Sequence, residues 1–445
     1  MRSAFLLSCF ALLLAVPAGA QDADRDRVTA LAMEAHLKAG DALREKGDLD
    51  GALAEYRKAL ELHAALRAAP AAIPGRAARR ADARLPDGWD AADAIVAGLK
   101  WLAAHQDEDG KWDCDGFMRH DPAEDKCDGA GGSLYDVGVT SLALLAFLGA
   151  GYTDRGNESE NPYGKTVRLA IRYLMTVQAE DGVFGPRASQ HYVYNHALAT
   201  LAMCDAYWMT RNPRYKKPAQ DALNYIAMAR NPYMAWRYEP RSGENDTSVT
   251  ALCTMALKSG KFGGLEVDPD AFEGARQWIE KMTDPDTGRT GYHMRGGMPA
   301  RPQAQIDAFP AQHSEAMTAA GILTRIFTGE DPRSSATVRM GADLCAAKPP
   351  RWEEGKVDMY YWYCGTLAMF QVGGAHWKGW RDHLRVAVGS SQNSEGARAG
   401  SWDPAGAWGI DGGRVYATAL MTMCLEVEYR YDRVVGVLPD DRRGR

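Results

Sequence analysis

Thr140-Ser-Leu-Ala-Leu144 is the first of six short segments in which a Thr, His or Gly precedes small and apolar residues. The other five begin at His196, Thr250, Thr318, Gly365 and Thr418. Successive segments begin 47 to 68 residues apart, and each interval is long enough for two helices of about 12–16 residues with their connections. The sequence therefore contains an internal repeat, and this repeat predicts six helical hairpins.

A more polar helix precedes each apolar segment. These polar helices are predicted at residues 92–105, 166–178, 219–229, 272–282, 335–345 and 380–388. Because a helix that is apolar nearly all round is a buried helix, the six apolar helices should form an inner ring inside the six polar ones. We therefore expect an all-α fold, an (α/α)6 toroid that covers residues 90–431.

The turns between helices carry a second repeated motif. Gln106-Asp-Glu-Asp-Gly110-Lys-Trp112 and Gln178-Ala-Glu-Asp-Gly182-Val-Phe184 share a Gln, a Gly and an aromatic residue at equal spacing, and Gly400-Ser-Trp402-Asp403 is a partial copy. These turns resemble the Gln-Trp repeat of squalene and oxidosqualene cyclases. The chain is thus similar to the prenyltransferase and squalene cyclase-like repeat family, the terpenoid cyclase/protein prenyltransferase α/α toroids. The resemblance implies a barrel whose central cavity opens at the N-terminal ends of the inner helices.

The motif that starts cyclisation in this family is altered. Cyclases protonate an alkene or epoxide with the middle acid of an Asp-x-Asp-Asp-Thr motif, and the matching stretch is Gly243-Glu-Asn-Asp-Thr247. Asn245 stands where the proton donor belongs, and an amide has no acidic proton at accessible pH. Asp246 is kept, either as a helix N-cap or as a functional group. We therefore predict that this protein does not cyclise polyenes.

The zinc motif of protein prenyltransferases is altered as well. Its Asp-x-Cys pair could only be Asp343-Leu-Cys345, which falls on a predicted outer helix, and Tyr361 stands where the family's His is expected. Zinc sites need their ligands on converging elements, so we predict no metal and no cofactor. The acidic loop 107–128 is interpreted as a solvated charged turn, with a calcium site as the alternative.

Polar and aromatic residues recur where the inner helices begin, and these are the predicted lining of the cavity. They are Tyr194, Asn195, His196, Glu244, Asn245, Asp246, His313, Glu315, Asp358, Tyr361, Asp411 and Tyr416. Singly, each is explained as a helix cap, because helix N-termini attract carboxylates and hydrogen-bond acceptors. Together they would form a pocket with convergent polar groups, the usual form of a ligand site.

Three functions are compatible with this pattern. The first is a protein that binds an apolar or amphipathic small molecule, such as an isoprenoid or lipid, in its central cavity. The second is a carbohydrate-active α/α-barrel enzyme, a glycosidase or polysaccharide lyase. Such enzymes use paired carboxylates, here drawn from Glu244, Asp246, Glu315 and Asp358, or a Tyr and a His as base and acid. The third is a non-enzymatic scaffold for protein interaction.

The first 20 residues have the layout of a signal peptide, with Arg2, an apolar run over 4–16 and a small-residue end at Ala18-Gly-Ala20. We therefore expect cleavage near Gln21 and export to the periplasm or the extracellular space. The apolar run is shorter than the about 20 residues that span a bilayer, so the protein should not be membrane-spanning. The net charge of −6 and the lack of an extended basic stripe predict no nucleic-acid partner.

Residues 21–67 are predicted to form a helical arm that resembles one tetratricopeptide (TPR) repeat. A lone repeat of this kind should pack on the main domain or on a protein partner; a plain helical spacer is the alternative. Residues 68–89 are rich in Ala, Pro and Arg and are predicted to be a linker, and 432–445 a C-terminal tail.

The chain has eight cysteines, and loss of Cys9 with the signal peptide leaves an odd number. Cys114 and Cys127 lie in one polar loop, unlike the cysteines of the apolar helices. Since an exported protein meets an oxidising environment, we predict a disulfide between Cys114 and Cys127. Metal binding by this pair is the weaker alternative, because the cysteines of zinc sites usually lie two to four residues apart.

Overall fold

A computed structural model describes most of residues 32–67, residue 85, and residues 88–156, 161–189 and 191–434. The predicted signal peptide, most of the predicted linker and nearly all of the predicted tail lie outside the described residues. The chain divides into two compact units, 1–72 and 73–445. Each unit is described by itself.

The N-terminal unit contains helix α1, Leu49–Arg67. Helical residues between 38 and 44 precede it. Gly40 packs so closely on the Tyr56 ring that a Cβ atom would lie 2.4 Å from it, and His36 Nδ1 lies 2.6 Å from a carboxylate oxygen of Glu55. The TPR-like assignment and a role in binding a protein partner stay predictions.

The second unit contains twelve helices among its described residues. They are α2 Ala91–Ala104, α3 Asp136–Gly149, α4 Gly164–Val177, α5 Tyr192–Thr210, α6 Pro213–Ala229, α7 Thr247–Phe262, α8 Pro269–Met282, α9 Ala316–Phe327, α10 Ala336–Ala347, α11 Met359–Val372, α12 Gly374–Gly389 and α13 Gly409–Val434. Extended pairing in this part of the chain is limited to two isolated bridges. The all-α prediction is confirmed. None of the helices described here has the length and apolar character needed to cross a membrane.

The odd-numbered helices form a closed inner ring. Each of α3, α5, α7, α9 and α11 packs against the next, and α13 packs against α3 to close the ring. The even-numbered helices lie outside it: α4, α6, α8, α10 and α12 each pack on the inner helix that precedes them, and α2 packs on α13. This order confirms the predicted arrangement of six hairpins.

Two outer helices begin earlier than predicted. Helix α6 starts at Pro213 and α12 at Gly374, each six residues before the predicted start. A proline in the first turn has its φ already set for a helix and lacks only an N–H that would stay unpaired. Asn212 caps α6 by accepting a hydrogen bond from Arg214 N–H at 3.1 Å. The internal Pro218 suggested a later start, but the helix continues through it.

The glutamines of the repeated turns connect neighbouring hairpins. The side-chain amide of Gln106 donates to the carbonyl of Gly110 in its own turn, at 2.9 Å, and to that of Thr166 in the first turn of α4, at 3.0 Å. Gln178 makes the same two bonds in the second turn. Gln392, which the sequence motif did not include, makes them in the last turn. Each glutamine thus ties its turn to the first two turns of a neighbouring outer helix.

The glycine of these turns is required sterically. Gly110 has φ +101°, and a Cβ there would lie 2.2 Å from the Leu169 carbonyl oxygen. We expect Gly110→Ala to lower the free energy of unfolding by about 2–5 kcal/mol, the sum of left-handed backbone strain and overpacking. Gly329 is the matched control, because its φ is +112° and a Cβ there would meet nothing within 4 Å beyond its own chain neighbours. Equal losses for Gly110→Ala and Gly329→Ala in urea denaturation would show that the contact with Leu169 has no effect.

Candidate functional site

The open end of the inner ring is the end at which its helices begin. Tyr194, Tyr360 and Tyr416 keep part of their surface exposed there. Leu201 and Met255, further along their helices, are buried. We call the partly exposed surface formed by these three tyrosines the bowl.

A hydrogen bond crosses the interior of the ring at the level of the bowl. The hydroxyls of Ser248 on α7 and Tyr360 on α11 are 2.9 Å apart. Since α9 lies between these two helices in the ring, the bond must pass through the ring's interior. The Tyr194 hydroxyl also lies close to Ser248, so hydroxyl groups from three inner helices meet in the bowl.

Asp246 is the N-cap of α7, at the side of the bowl. Its Oδ1 accepts a hydrogen bond from Val249 N–H at 2.7 Å, as expected for an N-cap aspartate. Its Oδ2 is buried and completes no hydrogen bond within the described chain, although the Tyr292 hydroxyl lies beside the carboxyl group. A buried polar atom without a partner is costly, and such atoms are concentrated at functional sites.

Burial raises the pKa of Asp246 to about 7, against the opposing effects of the Val249 N–H and the Arg237 charge. Desolvation disfavours the charged form of a carboxyl group. At neutral pH a large fraction of Asp246 is therefore a neutral carboxylic acid, which can donate a proton.

Tyrosine hydroxyls lead from Asp246 to the surface of the bowl. The hydroxyls of Tyr292 and Tyr238 are hydrogen-bonded to each other, Tyr292 is buried, and Tyr238 is partly exposed. Burial raises the pKa of both phenols, so both carry their protons at neutral pH. Asp246, Tyr292 and Tyr238 thus lie in series, a path from a buried carboxyl group to a partly exposed hydroxyl.

The exposed end of this path lies against a histidine and a cation. The rings of His191 and Tyr238 meet edge to face with centroids 4.9 Å apart, and Tyr194 lies 6.2 Å from Tyr238. The Arg237 guanidinium lies 5.2 Å above the Tyr238 ring and pairs with Glu244 at 2.8 Å. Both His191 and Tyr238 are partly exposed, so a bound molecule can reach both.

Several predicted site residues have structural roles instead. Asn245 Oδ1 accepts hydrogen bonds from Ala235 N–H at 2.9 Å and from the Asn231 amide at 3.1 Å. His196 Nδ1 accepts from Phe184 N–H at 3.1 Å, and burial lowers the pKa of His196 to about 3. These bonds hold the turns of the second and third hairpins on the inner helices.

The predicted carboxylates Glu315 and Asp358 are neutralised by cations. Glu315 pairs with Arg289 and Lys348 at 2.8 and 2.7 Å; burial alone would raise the pKa of Glu315, but these partners hold it below its usual range. Asp358 pairs with Arg301 at 2.7 Å while it caps α11. Such carboxylates are poorly suited to exchange protons with a ligand.

The remaining predicted residues lie apart from Asp246. Tyr361 donates to the carbonyls of Cys345 and Lys348 behind the ring. His313 is exposed beside the Gly355 carbonyl, and Asn195 donates to the Leu134 carbonyl at 2.9 Å. Asp411 and Tyr416 are partly exposed on α13, three inner helices away from α7.

The residues missed from the sequence are Tyr238, Tyr292, Arg237 and Ser248, whereas His191 was expected among the polar and aromatic residues at the starts of the inner helices. Tyr238 and Tyr292 lie in the connections before α7 and α9. These connections have no sequence periodicity that would single out a functional residue. One signal was available: the cavity was expected at the starts of the inner helices, so aromatic residues of the preceding connections could have been included.

The predicted disulfide between Cys114 and Cys127 is not present, and both residues are free thiols. Cys114 Sγ lies 3.4 and 3.3 Å from the carbonyl oxygens of Asp411 and Gly412. Cys127 Sγ lies 3.6 Å from a carboxylate oxygen of Asp121. Membership of one loop suggested proximity, but the loop folds so that the two sulfur atoms contact different partners.

The acidic loop also brings three carboxylates together, those of Asp113, Asp115 and Asp136. Lys111 bonds Asp136 at 2.7 Å and Asp113 at 3.3 Å. Burial and the neighbouring Asp113 raise the pKa of Asp115 to about 7. A lysine therefore already supplies positive charge to this group.

No family model matches the chain, and no curated protein sequence matches it. Solved structures do. An inactive variant of the α-1,6-mannanase GH76A of Salegentibacter sp. HEL1_6, in complex with α-1,6-mannotriose, aligns with 76% of this chain and 99% of its own, at 11% identity and a TM-score of 0.50. The unsaturated glucuronyl hydrolase of Bacillus sp. GL1 aligns with 77% of this chain and 97% of its own, at 13% identity and a TM-score of 0.50.

The chain is an α/α toroid. The type II terpene cyclase MstE from Scytonema is also among the matched structures, over 76% of this chain and 97% of its own, at 12% identity and a TM-score of 0.46. At these identities the likeness shows the fold alone. The ring of helices and the matches to the mannanase and the glucuronyl hydrolase confirm the predicted toroid fold.

The ionisation of Asp246 should be visible in the stability of the toroid. Its pKa is about 7 in the folded chain against an ordinary value of 3.8, so the folded state binds this proton more tightly. This contribution is complete below about pH 4 and is lost as the pH rises through 7. Relative to Asp246→Asn, the wild-type chain should lose up to a few kcal/mol between pH 4 and 8. A difference between the two unfolding free energies that stays constant over this range would contradict the raised pKa.

Proposed function

We propose that this toroid is a carbohydrate-active enzyme that cleaves a glycosidic bond by acid–base catalysis in the bowl. The observation that carries the proposal is the path from the neutral acid of Asp246 through Tyr292 to the exposed hydroxyl of Tyr238. Tyr238 donates a proton to the departing glycosidic oxygen, and Asp246 restores that proton through Tyr292. His191, beside Tyr238, is the base. In hydrolysis it accepts a proton from the water whose oxygen bonds to the anomeric carbon; in elimination it accepts a proton from a sugar carbon, and a C=C bond forms as the C–O bond breaks.

The hydroxyl groups and tyrosine rings that line the bowl favour a glycan as its ligand. Hydroxyls of Tyr194, Ser248, Tyr238 and Tyr360 converge on it, and sugars offer matching donors and acceptors. Tyrosine rings also provide flat faces for the C–H surfaces of a sugar ring. Two proteins of this fold, the mannanase and the glucuronyl hydrolase, act on glycans according to their names.

Cyclisation of a long polyene is not favoured by this site, because Asn245 has no acidic proton to donate. The amide of Asn245, in the position of the cyclase acid, is held by two hydrogen bonds. A small amphipathic molecule stays compatible with the bowl, and a sugar ring with one apolar face is such a molecule.

We also propose that the chain is exported and that the enzyme meets its glycan outside the cytoplasm. The signal-peptide layout of residues 1–20 supports this. N-terminal sequencing of the protein expressed in a bacterial host should give a mature chain that begins near Gln21. An unprocessed N-terminus on material from the cytoplasm would contradict export.

A glycan screen tests the proposed activity. Purified protein is incubated with neutral and uronate-containing oligosaccharides, and the products are resolved by chromatography and mass spectrometry. We expect shortened products from at least one glycan class; products with an unsaturated end would indicate elimination, and saturated ends hydrolysis. Isoprenoid alcohols and polyenes are included as competing ligands in a thermal-shift assay. Stabilisation by these, without binding or cleavage of any glycan, would overturn the proposal.

A further inference from the structure

We infer that His105, Asp121 and Cys127 form a zinc site outside the bowl. Nε2 of His105, a carboxylate oxygen of Asp121 and Sγ of Cys127 all lie within 4.8 Å of one another, and the three residues are buried. Imidazole, carboxylate and thiolate together are a donor set that suits zinc, whereas calcium and magnesium take oxygen ligands.

The histidine is held with the nitrogen that would bind the metal pointing at the other two groups. Nδ1 of His105 lies 2.7 Å from the Trp101 carbonyl oxygen, which can only accept, so Nδ1 carries a hydrogen. The ring also stacks on the Trp101 indole at 4.0 Å. Nε2 therefore points at Asp121, whose Oδ1 is 2.8 Å away. A backbone carbonyl that orients a histidine through its second nitrogen is the common arrangement behind zinc ligands.

The aspartate and the cysteine are held in the same way. Oδ2 of Asp121 accepts a hydrogen bond from Cys127 N–H at 2.8 Å, which leaves Oδ1 between the imidazole and the sulfur. Cys127 Sγ is 3.6 Å from that oxygen. Ligand atoms around a tetrahedral zinc are about 3.5 Å apart, so the sulfur–oxygen spacing already fits. The His105–Asp121 pair must open by about 0.7 Å to reach the same spacing.

Charge also favours a divalent cation here. Nε2 and Oδ1 face each other at 2.8 Å in a buried place, where a divalent cation would pair with the carboxylate. Zinc with an aspartate, a thiolate and a neutral histidine gives a neutral site. Buried charges are tolerated when they are paired or bind metals.

The place of the cluster gives the ion a structural role. The Trp101 indole donates to the Ala397 carbonyl at 2.9 Å, and Asp125 accepts from Ala397 N–H at 2.6 Å. The loop with the three ligands thus connects the first hairpin to the last, where the ring closes. Zinc would fix that loop and stabilise the closure.

Metal analysis tests the site. Protein purified without metal-affinity chromatography is expected to contain about one zinc per chain, or to take it up at that ratio after stripping with a chelator. Cobalt in its place should give the near-ultraviolet absorption of a thiolate–cobalt bond. Cys127→Ser should lose that absorption, and Cys114→Ser, the matched control in the same loop, should keep it.

A second measurement needs no variant. Zinc added to stripped wild-type protein should slow alkylation of Cys127, mapped by mass spectrometry, and raise the melting temperature. Failure to bind zinc, a cobalt spectrum unchanged in Cys127→Ser, or alkylation of Cys127 indifferent to zinc would each overturn the inference. The cluster would then be a buried histidine–aspartate hydrogen bond beside a thiol.

Discussion

Tyr238→Phe is expected to lower kcat on the cleaved glycan by about 10²–10⁴-fold, the usual contribution of a positioned general acid. The substitution removes only the hydroxyl, and the ring keeps its contacts with His191 and Tyr194. KM should change little, because ring stacking is retained. Single-turnover and steady-state assays with the glycan found in the screen give both constants.

The same loop offers a control for this variant. Tyr233 is 88% exposed, and Tyr233→Phe should leave kcat and KM unchanged. Asp246→Asn should lower kcat less than Tyr238→Phe and remove the pH dependence near 7, because asparagine can still cap α7 but cannot supply the proton. A Tyr238→Phe enzyme with wild-type kcat would show that the proton comes from another group.

Arg414→Met is expected to lower the free energy of unfolding by about 2–4 kcal/mol, since a buried guanidinium loses its hydrogen bonds to two carboxylates and a hydroxyl. Arg414 is fully buried. Its guanidinium pairs with Asp403 at 2.8 Å and with Asp128, and it donates to the Ser401 hydroxyl at 3.0 Å. These partners join the loop before α13 to the loop before α3, where the ring closes.

Comparison with a neighbouring arginine, Arg398, separates the effect of burial on stability from the effect of charge. Arg398 also pairs with Asp128, at 3.6 Å, but its side chain is partly exposed. Arg398→Met should cost less than about 1 kcal/mol, as exposed pairs contribute little. Both variants are compared by urea denaturation at low and high salt. Equal losses of unfolding free energy for the two variants would contradict the claim that closure of the ring depends on the buried Arg414.

The fold could be predicted because every repeat carries the same local sequence pattern. The Gln and Gly around Gln106 marked a repeated turn in the sequence, and the structure shows the two hydrogen bonds by which Gln106 joins this turn to the next hairpin. Thr140, the first residue of its repeated segment, accepts a hydrogen bond from Trp112 N–H at 2.9 Å. Such short-range geometry recurs in each repeat and is visible without a structure.

The site could be predicted only in part, because it depends on loop geometry. Asn245 and Asp246 are neighbours, and the sequence could not show that the first is bound to the preceding turn while the second keeps an oxygen free. Tyr292 reaches Asp246 from a connection 46 positions later in the chain. The same limit applies to Cys127, whose partner His105 is 22 positions away, at the end of α2.

The ionisation of Asp246 is the most direct test of the proposed acid–base site. Chain labelled with ¹³C at aspartate side-chain carboxyls is titrated by NMR, and the Asp246 signal is assigned by its absence from Asp246→Asn. We predict a midpoint near pH 7, the value that burial gives this carboxyl group. A midpoint near the ordinary 3.8 would mean that Asp246 is ionised at neutral pH, and the proton path to Tyr238 would have no source.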